Sequence, residues 1–264
     1  MARSIYITSA EGHTGKSTIA LGVLDALMRV TPRVGVFRPI ARSAVERDYV
    51  LELLLDHDGV HLEYEECVGV TYDDVRDDPD AALATIVERF KAVEAQCESV
   101  VIVGSDYTDV ASPAELGYNA RVAANLGAPV LLVLSGRDQR EQAEQLGTTT
   151  ARTPAEVGQI ASLTLSELAQ ERAELFAVIV NRADPERLGE TIEAVRAVHS
   201  ETASVWAIPR TARSWPVDPR DHGRRRRPAR RGRSGVAHPR GPRRRGGRHV
   251  DGQRPARLTE GRSW

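Results

Sequence analysis

The octet Ala10-Glu11-Gly12-His13-Thr14-Gly15-Lys16-Ser17 constrains this chain more than any other feature. It follows a β-branched run, Ser4–Ser9 (SIYITS), and opens an apolar-periodic run, Lys16–Val30. A loop ending Gly-Lys-Ser between a strand and a helix matches the phosphate-binding loop pattern, with Ala10 in place of the first glycine. The residue types suit an anion. Gly12 and Gly15 let the backbone curl so that N–H groups point inward. The start of the helix adds the positive end of its dipole. Lys16 brings a positive charge to the β and γ phosphates, and Ser17 offers a hydroxyl to Mg²⁺. His13, Thr14 and Thr18 complete the expected nucleotide-contacting set. Ala10 demands a negative φ at its position, because a side chain there would otherwise be strained.

The first 209 residues alternate between two periods. Short apolar runs at Ser4–Ser9, Val34–Phe37, Val100–Val103, Val130–Leu134, Phe176–Val180 and Val205–Ile208 read as strands, several of them buried on both faces. Helical patterns fill the intervals at Lys16–Val30, Ala81–Gln96, Pro113–Asn125, Thr153–Arg172 and Glu186–His199. This alternation predicts an α/β fold, a P-loop NTPase-like parallel sheet with helices on both faces. Residues 59–79 are acidic and irregular and read as a loop-rich insertion near the sheet edge.

Charge divides the chain at residue 210. Of 264 residues in all, the last 55 hold 18 Arg, no Lys and 4 acids, whereas residues 1–209 hold 18 basic and 33 acidic residues. The whole-chain net charge of −1 therefore describes neither part. Only 4 of the last 55 residues are Val, Leu, Ile or Phe. Such a segment cannot repay the entropy of ordering itself, so residues 210–264 are expected to be a disordered basic tail behind a single domain, 1–209. Its Arg-Gly-Pro-Ala text resembles GC-rich coding sequence read out of frame, so an aberrant end is expected, against the alternative of a real basic arm. Nucleic acid would be bound only non-specifically, through phosphate charge. Two cysteines, Cys67 and Cys97, exclude a disulfide scaffold, and no apolar run reaches the ~20 residues of a membrane helix. A cytoplasmic protein without a membrane partner is expected.

Four further residues are candidates because they stand at or just beyond predicted strand ends, where parallel α/β sheets bind ligands. Arg38 ends the second strand and suits a phosphate or carboxylate, against the alternative of an ion pair. Asp106, after VVIVGS, is a candidate Mg²⁺ ligand, or else a loop cap. Asp48 is a second candidate ligand, or else an acid at a helix start. Asn181 offers a donor and an acceptor to a purine edge, or else shapes a turn.

These pieces follow one another in a specific order: SAEGHTGKSTIALG, VGVFRPIARS, VVIVGSDYTDV, APVLLVLSG, FAVIVNRADP and VWAIP. In that order they resemble the amino-terminal P-loop domain of long-form bacterial phosphate acetyltransferases, a domain similar to dethiobiotin synthetase, from about Arg3 to Pro209. The resemblance implies ATP and Mg²⁺ on Lys16 and Ser17, a basic motif residue at Arg38, a metal-site acid at Asp48 and an adenine contact at Asn181. Where the relatives often carry Glu-Gly at a strand end, this chain has Gly104-Ser105, and Asp106 is the nearest carboxylate. The family's acetyl transfer belongs to a later catalytic domain. The chain is thus expected to be a truncated regulatory piece that binds nucleotide, with an effector metabolite as a possible second ligand and homo-oligomers in the full-length enzyme. The alternatives are a stand-alone ATP-dependent ligase like dethiobiotin synthetase, and a nucleic-acid-binding protein acting through its Arg tail.

Overall fold

The computed structural model describes residues 3–105, 115–138, 150–198 and 203–210. Asp106 and the tail from residue 211 onward lie outside them, so neither expectation is met or refused here. Seven strands form one sheet: β1 (Arg3–Thr8), β2 (Val34–Ala41), β3 (Val68–Thr71), β4 (Ser99–Val103), β5 (Val130–Ser135), β6 (Leu175–Ala183) and β7 (Ser204–Pro209). Their order is β3-β2-β4-β1-β5-β6-β7, and every neighbouring pair is parallel. The helices are α1 (Lys16–Met28), α2 (Tyr49–Leu55), α3 (Tyr72–Asp77), α4 (Pro79–Glu94), α5 (Glu115–Leu126), α6 (Pro154–Gln170) and α7 (Leu188–Arg196).

The central strands are apolar without alternation because both faces are covered. On one face Tyr6, Phe37, Ile102, Leu132 and Val178 pack with Phe90 of α4 and Ala161 of α6. On the other, Ile7, Val36, Val101 and Leu131 pack with Leu24 of α1 and Leu51 and Leu54 of α2. Adjacent strands β1 and β4 are followed by helices on opposite faces, α1 and α5. A crevice therefore opens at the carboxyl ends of these two strands.

Helices α2, α3, α4 and α6 start on side-chain caps. Asp48 accepts from the Val50 and Leu51 amides, Asp78 from Asp80 and Ala81, and Thr153 closes a capping box with Glu156. Helix α1 differs: Gly15 stands at its cap position in a left-handed conformation, with no side-chain cap and no acid in the first turn.

Residues 59–79 are more ordered than the sequence indicates. They hold a 3-10 turn at Tyr64–Glu66, the edge strand β3 and helix α3. Strand β3 is four residues long, too short to show a period, and depends on β2 for its pairing. At Gly69 a Cβ would come within 2.2 Å of the Pro39 carbonyl oxygen, so the close approach of β2 requires glycine there. Cys67 and Cys97 are both free thiols, and burial pushes the Cys67 thiol up to about 12, so it stays protonated at neutral pH. Among the described residues no helix is long and apolar enough to cross a membrane.

Candidate functional site

The loop between β1 and α1 lies at the crevice. Its left-handed residues are His13 (φ 54°) and Gly15 (φ 84°); the curl expected at Gly12 falls on His13 instead. Ala10 is not among the positive-φ residues, as its side chain requires. Thr14 is buried and its hydroxyl has no hydrogen-bond partner. Ser17 is half-buried, whereas His13 and Thr18 are exposed on the loop and the first turn.

Lys16 is buried, and its ammonium donates to the Gly104 and Ser105 carbonyls at 2.7 and 2.9 Å. Arg38 reaches the same strand end from β2. It donates to the Val103 carbonyl at 3.0 Å, to the Gly104 carbonyl, and through Nε to Asp48 Oδ2 at 3.0 Å. The end of β4 thus gathers two cations on one carbonyl, which an approaching anion would meet as positive charge. Both sides of the Arg38–Asp48 pair are at least 95% buried, with side-chain exposures of 2% and 5%.

A second network fixes the strand end that holds Lys16. Asn119 of α5 accepts through Oδ1 from the Ser105 amide at 3.0 Å and from the Tyr6 hydroxyl at 2.8 Å; its Nδ2 donates to Ser105 Oγ and the Glu115 carbonyl. Burial pushes the Tyr6 phenol far above its usual range, so it remains a donor. Tyr6→Phe removes one buried hydrogen bond, and a loss of about 1 kcal/mol in a urea melt is expected. An unchanged melt would show that the network does not hold the strand.

The loop is tethered from the other side as well. Glu11 and Arg152 form a two-pronged ion pair at 2.6 and 2.7 Å, and Arg152 also donates to the Ser135 carbonyl. Asn181 donates through Nδ2 to the Thr14 carbonyl at 2.8 Å, and its Oδ1 accepts from the Arg182 amide at 3.0 Å. Arg182 donates through Nη1 to the His13 carbonyl at 2.8 Å. Roles for Arg152, Tyr6 and Asn119 and the contacts of Glu11 and Arg182 are absent from the sequence reading. Glu11 and Arg152 are 141 residues apart, and no local pattern joins them.

Of the three candidate ligands for a divalent cation, Ser17, Asp48 and Asp106, the first two lie among the described residues. Magnesium at such loops takes one or two protein oxygens and fills its shell with phosphate and water, so the Ser17 hydroxyl fits. The Asp48 oxygens already accept from Arg38 and from two amides of α2, so the capping and ion-pair readings describe its contacts. Among the described residues no cluster of three or more His, Cys, Asp or Glu could hold a metal without the nucleotide.

A phosphate-loop crevice on a seven-stranded parallel sheet defines a P-loop protein. Residues 3–213 match a family described as AAA domain, and the chain belongs to that family. It is similar to phosphate acetyltransferase of Nitratidesulfovibrio vulgaris, 30% identical over 190 residues, which are 69% of this chain and 25% of the relative. It is 29% identical over 196 residues to phosphate acetyltransferase of Synechocystis, 70% of this chain and 26% of that one. The chain therefore spans about a quarter of the length of these relatives. Among solved structures, the signal recognition particle 54 kDa protein of Aeropyrum pernix, in complex with GDP, superposes with a TM-score of 0.51 at 14% identity. That match covers 79% of this chain and 42% of the other, a likeness in fold.

Proposed function

We propose that this chain is the nucleotide-binding regulatory domain of a phosphate acetyltransferase, taking ATP with Mg²⁺ on the Ala10–Ser17 loop. The observation that supports this most is the loop itself. Left-handed His13 and Gly15 precede a helix start with no side-chain cap, and Lys16 lies at the adjoining strand end. The lysine would turn from the Gly104 and Ser105 carbonyls to the β and γ phosphates. Ser17 would hold the Mg²⁺ that shields their charge, with Asp48 acting through water and Asp106 as a further carboxylate. Asn181 and Arg38 border the same crevice. The similarity to two phosphate acetyltransferases supports the acetyltransferase part of this reading. In this reading the conversion of acetyl-CoA and phosphate to acetyl phosphate belongs to the three quarters of those relatives that the chain does not match.

Isothermal titration of the purified chain with ATP, with and without Mg²⁺, tests the reading. Saturable one-site binding that tightens with Mg²⁺ is the expected result, and no heat at millimolar ATP would sink it. Incubation with acetyl-CoA and phosphate is expected to yield no acetyl phosphate; turnover by pure chain would overturn the domain assignment.

A further inference from the structure

The Asn181-Arg182 dipeptide at the end of β6 grips two successive carbonyls of the phosphate loop, those of Thr14 and His13. A trans peptide points its C=O and its N–H in opposite directions. Drawing the His13 and Thr14 carbonyls toward β6 therefore turns the Thr14 and Gly15 amides away from it, toward the loop interior. Among the described residues, the amides of Gly12, His13 and Gly15 donate to no backbone carbonyl, and the loop turns at Gly12–His13.

The grip is built at some cost. Arg182 has φ 58°, a left-handed conformation that side chains disfavour, and it holds the carbonyl of His13, itself left-handed. Of the three non-glycine left-handed residues among those described, two thus meet in one hydrogen bond. Asn181 Oδ1 accepts from the Arg182 amide and so braces that strained residue. The pair is held in turn by β5, since the Gly136 amide donates to the Asn181 carbonyl at 2.8 Å. A Cβ on Gly136 would come within 2.5 Å of the Ala183 Cα, and one on Gly15 within 2.3 Å of Asn181 Nδ2. The contact leaves no slack on either side.

We infer that Asn181 and Arg182 are positioning residues, a latch that holds the phosphate loop in its anion-receiving form before nucleotide arrives. The inference rests on the nucleotide-binding reading and reassigns Asn181 from reader of the base to organiser of the phosphate site. A base reader and a latch differ in what their loss affects. Removing a base contact weakens only nucleotides that carry that base. Removing the latch weakens any polyphosphate, because the amides must then be ordered by the ligand itself.

The experiment compares ATP, GTP and inorganic tripolyphosphate, each with Mg²⁺, on wild type, Asn181→Ala, Arg182→Ala and Arg182→Lys by calorimetry. The expected result for Asn181→Ala is a loss of about 10-fold for all three ligands, with the ATP-to-GTP ratio unchanged. Arg182→Ala, a change at a half-buried side chain outside the hydrophobic core, should weaken all three in the same direction. Arg182→Lys, which keeps a donor for the His13 carbonyl, should recover most of that loss. Wild type that binds ATP, with tripolyphosphate affinity unmoved by either alanine variant, would overturn the latch and leave the nucleotide reading standing. Loss of ATP binding alone in Asn181→Ala would return Asn181 to the base. Wild type that binds neither ATP nor tripolyphosphate would remove the nucleotide reading itself and the latch with it.

Discussion

Arg38→Ala is expected to lower the unfolding free energy by about 3–5 kcal/mol, because it takes the guanidinium from a buried carboxylate, while the Gly104 carbonyl keeps Lys16 as its donor. Asp48 loses its Nε partner, and the Val103 and Gly104 carbonyls lose their guanidinium. Neither side chain reaches much water in compensation, since their exposures are 2% and 5%. Asp48→Ala should cost a comparable amount, as it strips the α2 cap and removes the carboxylate that accepts from Arg38 Nε. Urea melts of both variants measure this. Because the two changes break one interaction, the double variant should lose less than the sum of the singles. A loss under about 1 kcal/mol for Arg38→Ala would mean that the pair carries little of the structure.

Lys16→Ala is expected to weaken ATP binding by roughly 10- to 150-fold, the equivalent of about 1.5–3 kcal/mol for a hydrogen bond to a charged group. In the ligand-free form its ammonium is already desolvated against the Gly104 and Ser105 carbonyls. Turning to phosphate therefore exchanges one set of acceptors for a charged one, without a fresh desolvation of the lysine. The variant should still fold, since alanine is a strong helix former and the change removes a buried charge rather than adding one. Equal affinities in calorimetry for variant and wild type would remove the phosphate-loop assignment.

Several features of the fold are legible in the sequence. The order SIYITS, AEGHTGKS and an apolar helix places a strand, a curled loop and α1 in sequence, and β1 and α1 stand where that order requires. Uninterrupted apolar runs mark β4 and β5 as strands buried on both faces, and all their residues are buried. These signals are local: each lies within one strand or one loop, in side chains that must meet a core or an anion. Strand β3 escaped, because four residues are too few to show a period and it depends on β2 for pairing and on α4 for cover, whereas α2 was legible only as the helix start at Asp48.

The meaning of the polar candidates was decided by tertiary structure. Arg38 and Asp48 are ten residues apart, yet whether they face a ligand or each other depends on how β2 meets β4 and where α2 begins. Asn181 offers the same donor and acceptor to a purine or to a loop carbonyl, and only the register of β6 beside β5 puts Thr14 within its reach. Glu11 and Arg152 become a pair because β1 and β5 are neighbours in the sheet. Sequence alone determined which residue types stand at strand ends, because composition and periodicity are properties of short segments. Which of them touch is set by strand order and register, which arise only when distant segments pack.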